Sequence, residues 1–186
     1  MISSMLSKRF LLTMIIFRVY IFKPFIIFYF LIFCQASATS LDHSSLIGTI
    51  APHISLQKVS GGGSIHSRYI LKNQSMVLVF FSTANNLSLK MVSALHQIRA
   101  GIKNNNIQFF LVNILEEQEY LQSFVVEKVY TIPVIMDKYG TVLQMFETDV
   151  IPLTLVIDSG GEISYYQKGY SDSEIMNLIV HLRSKK

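Results

Sequence analysis

One cysteine, Cys34, and no tryptophan occur in 186 residues. A single thiol excludes an internal disulfide, and no Cys-x-x-Cys pair is present to carry dithiol chemistry or to ligate zinc. Acidic residues are missing from residues 1–38, which hold Lys8, Arg9, Arg18 and Lys23. The whole formal charge of +4 therefore lies in that stretch, and the rest of the chain is neutral. The basic isoelectric point is a property of the leader, so the electrostatic footprint of a nucleic-acid surface is absent and no nucleic acid is expected as a partner. His43, His53, His66, His96 and His181 show no H-x-H or H-x-x-x-H spacing, and the eight methionines are spread along the chain as core filler. Neither a metal site nor a cofactor is expected. Gly61-Gly62-Gly63 lacks the lysine and the following helix of a phosphate-binding loop and reads as a flexible turn.

What is there begins with the leader. Behind Lys8 and Arg9 come two apolar runs, Phe10 to Phe17 and Pro24 to Cys34, and the second is followed by Ala36-Ser37-Ala38. This is the h-region and A-x-A ending of a secretory signal peptide, with cleavage expected after Ala38. Met14 is an alternative start. The rival reading is an uncleaved anchor over residues 10–34, oriented by the two basic residues, although Arg18, Lys23 and Pro24 interrupt it. Phe33 before Cys34 is too bulky for a lipidation signal. The expected organisation is a signal segment over 1–38, a polar tether over 39–46 and one folded domain over 47–186, and the mature chain holds no thiol.

In the domain, Ile47 to Leu56 is an extended opening segment in which Pro52 forbids helix, and Ser60 to Ser64 is a turn. Met76 to Phe81 is an apolar run of the kind buried on both faces of a sheet. A helix follows, with Val92, Leu95, Ile98 and Ile102 on one face, and then the strand Ile107 to Val112, which makes a parallel βαβ unit. Glu116 to Val129 is expected as a second helix with an acidic first turn and with Tyr120, Phe124 and the Lys128 stem turned inward. Pro133 to Met136 is a short extended piece. Leu153 to Ile157 and Glu162 to Gln167 are two β runs joined by a Gly-rich turn, an antiparallel hairpin. Asp172 to Arg183, with Ser171 as N-cap and Ile175, Leu178, Ile179 and Leu182 inward, closes the chain as an amphipathic helix.

The order βαβ, helix, ββα resembles the thioredoxin-like fold, and more narrowly the exported TlpA/ResA branch of the redoxin (AhpC/TSA) group. The residues that carry the resemblance run along nearly the whole domain. They are Ile47-Gly48, Ala51-Pro52 and Leu56; Val77-Leu78-Val79 with Phe81; Val112-Asn113; Ile132-Pro133-Val134 with Asp137 and Gly140; and Ile151 to Asp158 with Gly161 and Ile163. The resemblance implies an α/β architecture, a three-layer α/β/α sandwich on a mixed sheet with a helical insert and an N-terminal β extension. It also implies where a dithiol would sit, at the turn between Phe81 and Lys90. Counted from the strand, the two cysteine positions fall on Asn86 and Leu89; counted from the helix, on Asn85 and Ser88. Neither pair supplies a thiol, the flanking tryptophans are replaced by Ser82 and Asn85, and Phe80 can neither accept nor relay a proton. Disulfide reduction requires an attacking thiolate and a resolving thiol, so no catalytic residue is assigned.

The resemblance makes Pro152 a cis proline beside that turn and leaves the main chain of Ile151 available to pair with an extended peptide. Asn85 and Asn86 could contact a ligand at the helix N-terminus, where helix capping is the simpler role. Ser88 has no adjacent base. Asp158 is expected to satisfy its own turn, and Glu116, Glu117 and Glu119 to form a solvated first helical turn rather than an acid/base pair. The reading is an exported, periplasmic or otherwise extracytoplasmic module that lacks redox activity, binds an extended peptide or envelope protein at the Pro152 edge, and meets the membrane only if the leader stays uncleaved. The alternatives are a thiol-disulfide oxidoreductase whose partner supplies the cysteines, and a metal or small-ligand carrier.

Overall fold

A computed structural model describes residues 46–185. The expected signal segment with its cleavage after Ala38, Cys34, most of the expected tether and His43 lie outside the described residues. Among the described residues no helix is long and apolar enough to cross a membrane.

The opening segment begins as a turn rather than extended as expected, Thr49 N–H donating to the Leu46 carbonyl, and from Ile50, which bridges Glu162, it runs without helix through Pro52. It leads into β1 (Ser55–Lys58) and β2 (Ser64–His66), an antiparallel pair across the glycine turn, and then one turn of helix, α1 (Ser67–Ile70). The central unit follows: β3 (Ser75–Phe81), α2 (Asn86–Gly101), β4 (Ile107–Ile114), α3 (Gln118–Glu127) and β5 (Val134–Asp137). A short helix, α4 (Thr141–Gln144), leads to the hairpin β6 (Leu153–Ile157) and β7 (Ile163–Lys168), and α5 (Asp172–Ser184) ends the chain. The seven strands make one mixed sheet in the order β2-β1-β5-β4-β3-β6-β7. β3, β4 and β5 run parallel, while β6 is antiparallel to β3.

The apolar runs fold this way because successive strand residues point to opposite faces, and here both faces are covered. Val77, Val79, Phe81, Phe109 and Leu111 face one side with Val92, Leu95 and Ile98 of α2, Leu121 of α3, and Leu178 and Leu182 of α5. Met76, Leu78, Phe80, Phe110 and Val112 face the other, with Ile54, Val142, Leu143 and Phe146. The three-layer expectation holds. Phe80 is wholly buried, edge-on to Phe146 at 5.8 Å, and fills space there.

Two further local expectations are corrected. α3 begins at Gln118, so Glu116 precedes the helix and Glu117 is its N-cap. With the start moved, Leu121 is the residue that turns inward and Tyr120 is exposed. The cap at Ser171 is as expected, its hydroxyl accepting from Glu174 N–H.

Candidate functional site

The C-terminal ends of β3, β4 and β5 and the start of β6 meet at one end of the sheet. β3 leaves the sheet at Phe81, turns through Ser82 to Asn85 and enters α2. Asn85 is the N-cap, its side-chain oxygen accepting from Ser88 N–H at 2.9 Å. Asn85 is therefore committed to the helix, as a cap normally is. Asn86 is exposed on the first turn, Leu89 is half-buried, and Ser88 is buried with a hydroxyl that has no hydrogen-bond partner. Neither candidate cysteine pair gathers a nucleophile with a base.

The centre of this end is Glu116, whose role the sequence reading missed. One carboxylate oxygen accepts from the Ser82 hydroxyl at 2.7 Å, the Thr83 N–H at 2.7 Å and the Thr83 hydroxyl at 3.0 Å. The other accepts from the Asn113 amide at 2.8 Å. A carboxylate accepts at both oxygens and hydrogen bonds to it are the stronger kind, so Glu116 clamps the turn after β3 to the end of β4. Tyr120 joins from α3, its hydroxyl 3.2 Å from that of Thr83. The carboxylate is occupied by protein donors, and the Ser82 hydroxyl gives its proton to it. The arrangement is a rigid platform, and it corrects the expected solvated turn at one residue: Glu116 is half-buried and bonded, while Glu117 and Glu119 are exposed.

Beside the platform, the Ile151–Pro152 peptide is cis. Phe80 pairs with Leu153, and continuing that antiparallel register by two residues places Ile151 across from Ser82. Among the described residues neither the N–H nor the C=O of Ile151 is hydrogen-bonded, whereas the Pro152 carbonyl accepts from Gly169 N–H at 2.7 Å. The sheet's pairing thus stops one residue short of Ile151 and leaves a main-chain donor and acceptor open to an incoming strand.

A second polar cluster lies on the hairpin and α5. The Ser164 hydroxyl donates to Asp158 at 2.8 Å and accepts from Lys185 at 2.9 Å, and the ammonium of Lys185 is also paired with Asp158. Asp158 thus reaches beyond its own turn, contrary to expectation. His181 Nε2 lies 3.1 Å from Ser164 Oγ. With the serine proton given to Asp158, the imidazole is the donor, so this Ser, His and Asp do not form a nucleophile–base relay. Burial, and then the Lys185 charge, lower the His181 pKa, while Asp158 pulls it upward. The neighbouring Tyr165 hydroxyl is pushed up by burial and by Glu174.

The other histidines are dispersed. His53 and His66 stack with ring centroids 6.4 Å apart, each with Nδ1 at a serine hydroxyl, and His96 bonds Val92 O and Thr131 N–H. Among the described residues no group of three or more His, Cys, Asp or Glu is placed to hold a metal ion.

Against known proteins, the family model described as the AhpC/TSA family matches residues 47–166. No curated protein sequence matches the chain. Among solved structures, the thioredoxin domain of a thiol-disulfide oxidoreductase from Bacteroides vulgatus is similar, with a TM-score of 0.62 and 16% identity over 73% of this chain and 96% of that one. A thioredoxin-family thiol:disulfide interchange protein from Chlorobium tepidum gives 0.60 and 20%, over 73% and 95%. StoA from Bacillus subtilis gives 0.59 and 16%, over 70% and 98%. At these identities the likeness establishes the fold, which is thioredoxin-like.

Proposed function

The chain belongs to the AhpC/TSA family, and from that premise we propose that it is an exported thioredoxin-like module without redox activity, which binds an extended segment of another envelope protein at Ile151. Thiol-disulfide exchange passes through a mixed disulfide formed by an attacking thiolate. Residues 39–186 contain no cysteine, and the two cysteine registers hold Asn85 with Ser88 or Asn86 with Leu89. The basic and apolar leader ending in Ala36-Ser37-Ala38 supports export.

The observation that carries the binding half is the unpaired main chain of Ile151. Pairing an extended peptide there uses the N–H and C=O of one residue and needs no side-chain nucleophile. The Glu116 clamp supports the reading by holding Ser82 and Thr83 in place beside it, so that a strand meets a preorganised edge.

Two measurements test the two halves. The purified full-length chain should reduce insulin no faster than a protein-free control, and catalytic turnover would overturn the first half. A photo-crosslinking residue in place of Ile151, expressed in the native envelope, should give a specific adduct that the same probe at Gln167 on β7 does not. Equal labelling at both positions would overturn the second.

A further inference from the structure

At the end of the sheet opposite Ile151 the strands do not match in length. β4 has eight residues and β5 four, and the two pair only from Leu111 and Val134 onward. Pro133 has no N–H with which to carry the ladder further, so Ile107 to Phe110 have no paired strand on that side. The end of β1, the turn after α1, the C-terminal half of α3 and the segment 130–133 enclose the gap, and it forms a cleft of about 610 Å³. That is the size of a small-molecule site rather than of a packing defect. Ile65, Ile70, Phe110, Val125 and Ile132 line it with hydrocarbon.

Three half-buried polar side chains line the same cleft: Lys58 from β1, Gln108 from β4 and Tyr130 after α3. Among the described residues the Lys58 ammonium, the Gln108 amide and the Tyr130 hydroxyl have no hydrogen-bond or ionic partner. Burial raises the Tyr130 pKa, so its hydroxyl stays a neutral donor. Lys58 differs in this from the other half-buried lysines, since Lys185 is paired with Asp158 and Lys168 lies over the Tyr166 ring at 5.6 Å. An ammonium partly withdrawn from water with nothing opposite it carries a desolvation cost that a bound anion offsets. The surroundings supply no such anion. No Asp or Glu occurs from Leu46 to Leu115, a stretch that holds Lys58, Arg68, Lys72, Lys90, Arg99 and Lys103, and Arg99 donates to the Thr131 carbonyl at the cleft. The acids on the elements around the cleft are Glu119 and Glu127 on α3 and Asp137 on β5. Glu119 is in the first turn of α3, at the Glu116 end; Glu127 is paired with Lys128, and Asp137 accepts from Leu143 N–H.

We infer that this cleft is a second binding site, independent of the reading given to Ile151, and that it takes a single-chain amphiphile with a carboxylate head. The alkyl chain lies against Ile70, Phe110 and Ile132, and the carboxylate meets Lys58, with Gln108 and Tyr130 as neutral donors. One unpaired ammonium balances one negative charge, and a carboxylate has acceptor sites left for both donors. An alcohol of the same length leaves Lys58 unpaired, and a cationic head sets a like charge beside it. Burial of the chain supplies affinity, and the ion pair supplies the choice of head group.

The full-length chain in phosphatidylcholine nanodiscs, irradiated with dodecanoate that carries a diazirine on its chain, tests this. Adducts should map to the peptides that hold Ile70, Phe110 or Ile132. Unlabelled dodecanoate should displace them at a concentration at least about tenfold below that needed of dodecanol or dodecyltrimethylammonium. Lys58→Gln should cut the labelling about tenfold while Lys58→Arg keeps it, both with the melting temperature of the parent chain. Gln108→Glu, which sets a carboxylate among the donors, should cut it as well. Adducts confined to residues 1–45 or spread evenly over the domain overturn the site. Cleft labelling that dodecanol displaces as well as dodecanoate does, or that Lys58→Gln leaves unchanged, overturns the carboxylate. Neither result bears on pairing at Ile151.

Discussion

Two carboxylates organise polar clusters in this molecule, and their surroundings differ. Glu116 gathers four protein donors and stands among exposed apolar side chains beside an unpaired main chain. Asp158 gathers Ser164 and Lys185, the residue that caps the end of α5, and the Lys185 carbonyl accepts from Asn104 at 3.0 Å. The hairpin cluster is tied off by the chain's own last helix. The Glu116 end is rigid and left open, and rigidity without closure is what a docking edge needs.

That contrast can be broken by substitution. The largest effect is expected at Glu116→Ala, which strands the Thr83 N–H and three side-chain donors in a half-buried setting and should cost about 2 kcal/mol. Urea unfolding checks it, and peptide binding should fall as the turn loosens. Leu115→Gly should act in the opposite direction, adding up to about 1 kcal/mol by releasing the left-handed backbone, and the same unfolding series reads it. Asp158→Ala removes an ion pair that is partly exposed to solvent, so its cost should be about 0.5 kcal/mol with peptide binding untouched.

The smallest effect is a pH dependence on the closed side. The His181 pKa is lowered in the fold, so the unfolded chain binds the extra proton, and stability rises with pH. The contribution is complete above the ordinary histidine value near 6.5 and is lost as pH falls below it. His181→Gln should therefore flatten the loss of stability between pH 7 and 5, by about a degree or two in melting temperature.

Most of the fold was legible because it is written locally. The runs Met76 to Phe81 and Ile107 to Val112 name buried strands, and Asn85 and Ser171 name their helices' first turns. The face of α3 was misjudged because one boundary decides it: starting the helix at Glu116 turns Tyr120 inward, and starting it at Gln118 buries Leu121 instead. The site was less legible, for a physical reason. Glu116 finds Ser82 and Thr83 across 34 and 33 residues, and Asp158 finds Lys185 across 27. No spacing rule links such partners; the sheet register does. A signal for Glu116 was available once β3 and β4 were paired in parallel, since the acid three residues after Asn113 then falls beside the turn that follows Phe81. The left-handed backbone of Leu115 had no signal, because leucine is the wrong residue for it.

The central claim is that the main chain at Ile151 is open in the free protein and becomes paired when a strand docks. Amide hydrogen exchange at Ile151, followed in the full-length chain with and without an extended peptide bound beside it, measures it directly. The account predicts fast exchange in the free chain and at least about tenfold slowing on binding, with the amides of β7 unaffected. An Ile151 amide already protected in the free chain, or one that the bound peptide leaves unchanged, would contradict it.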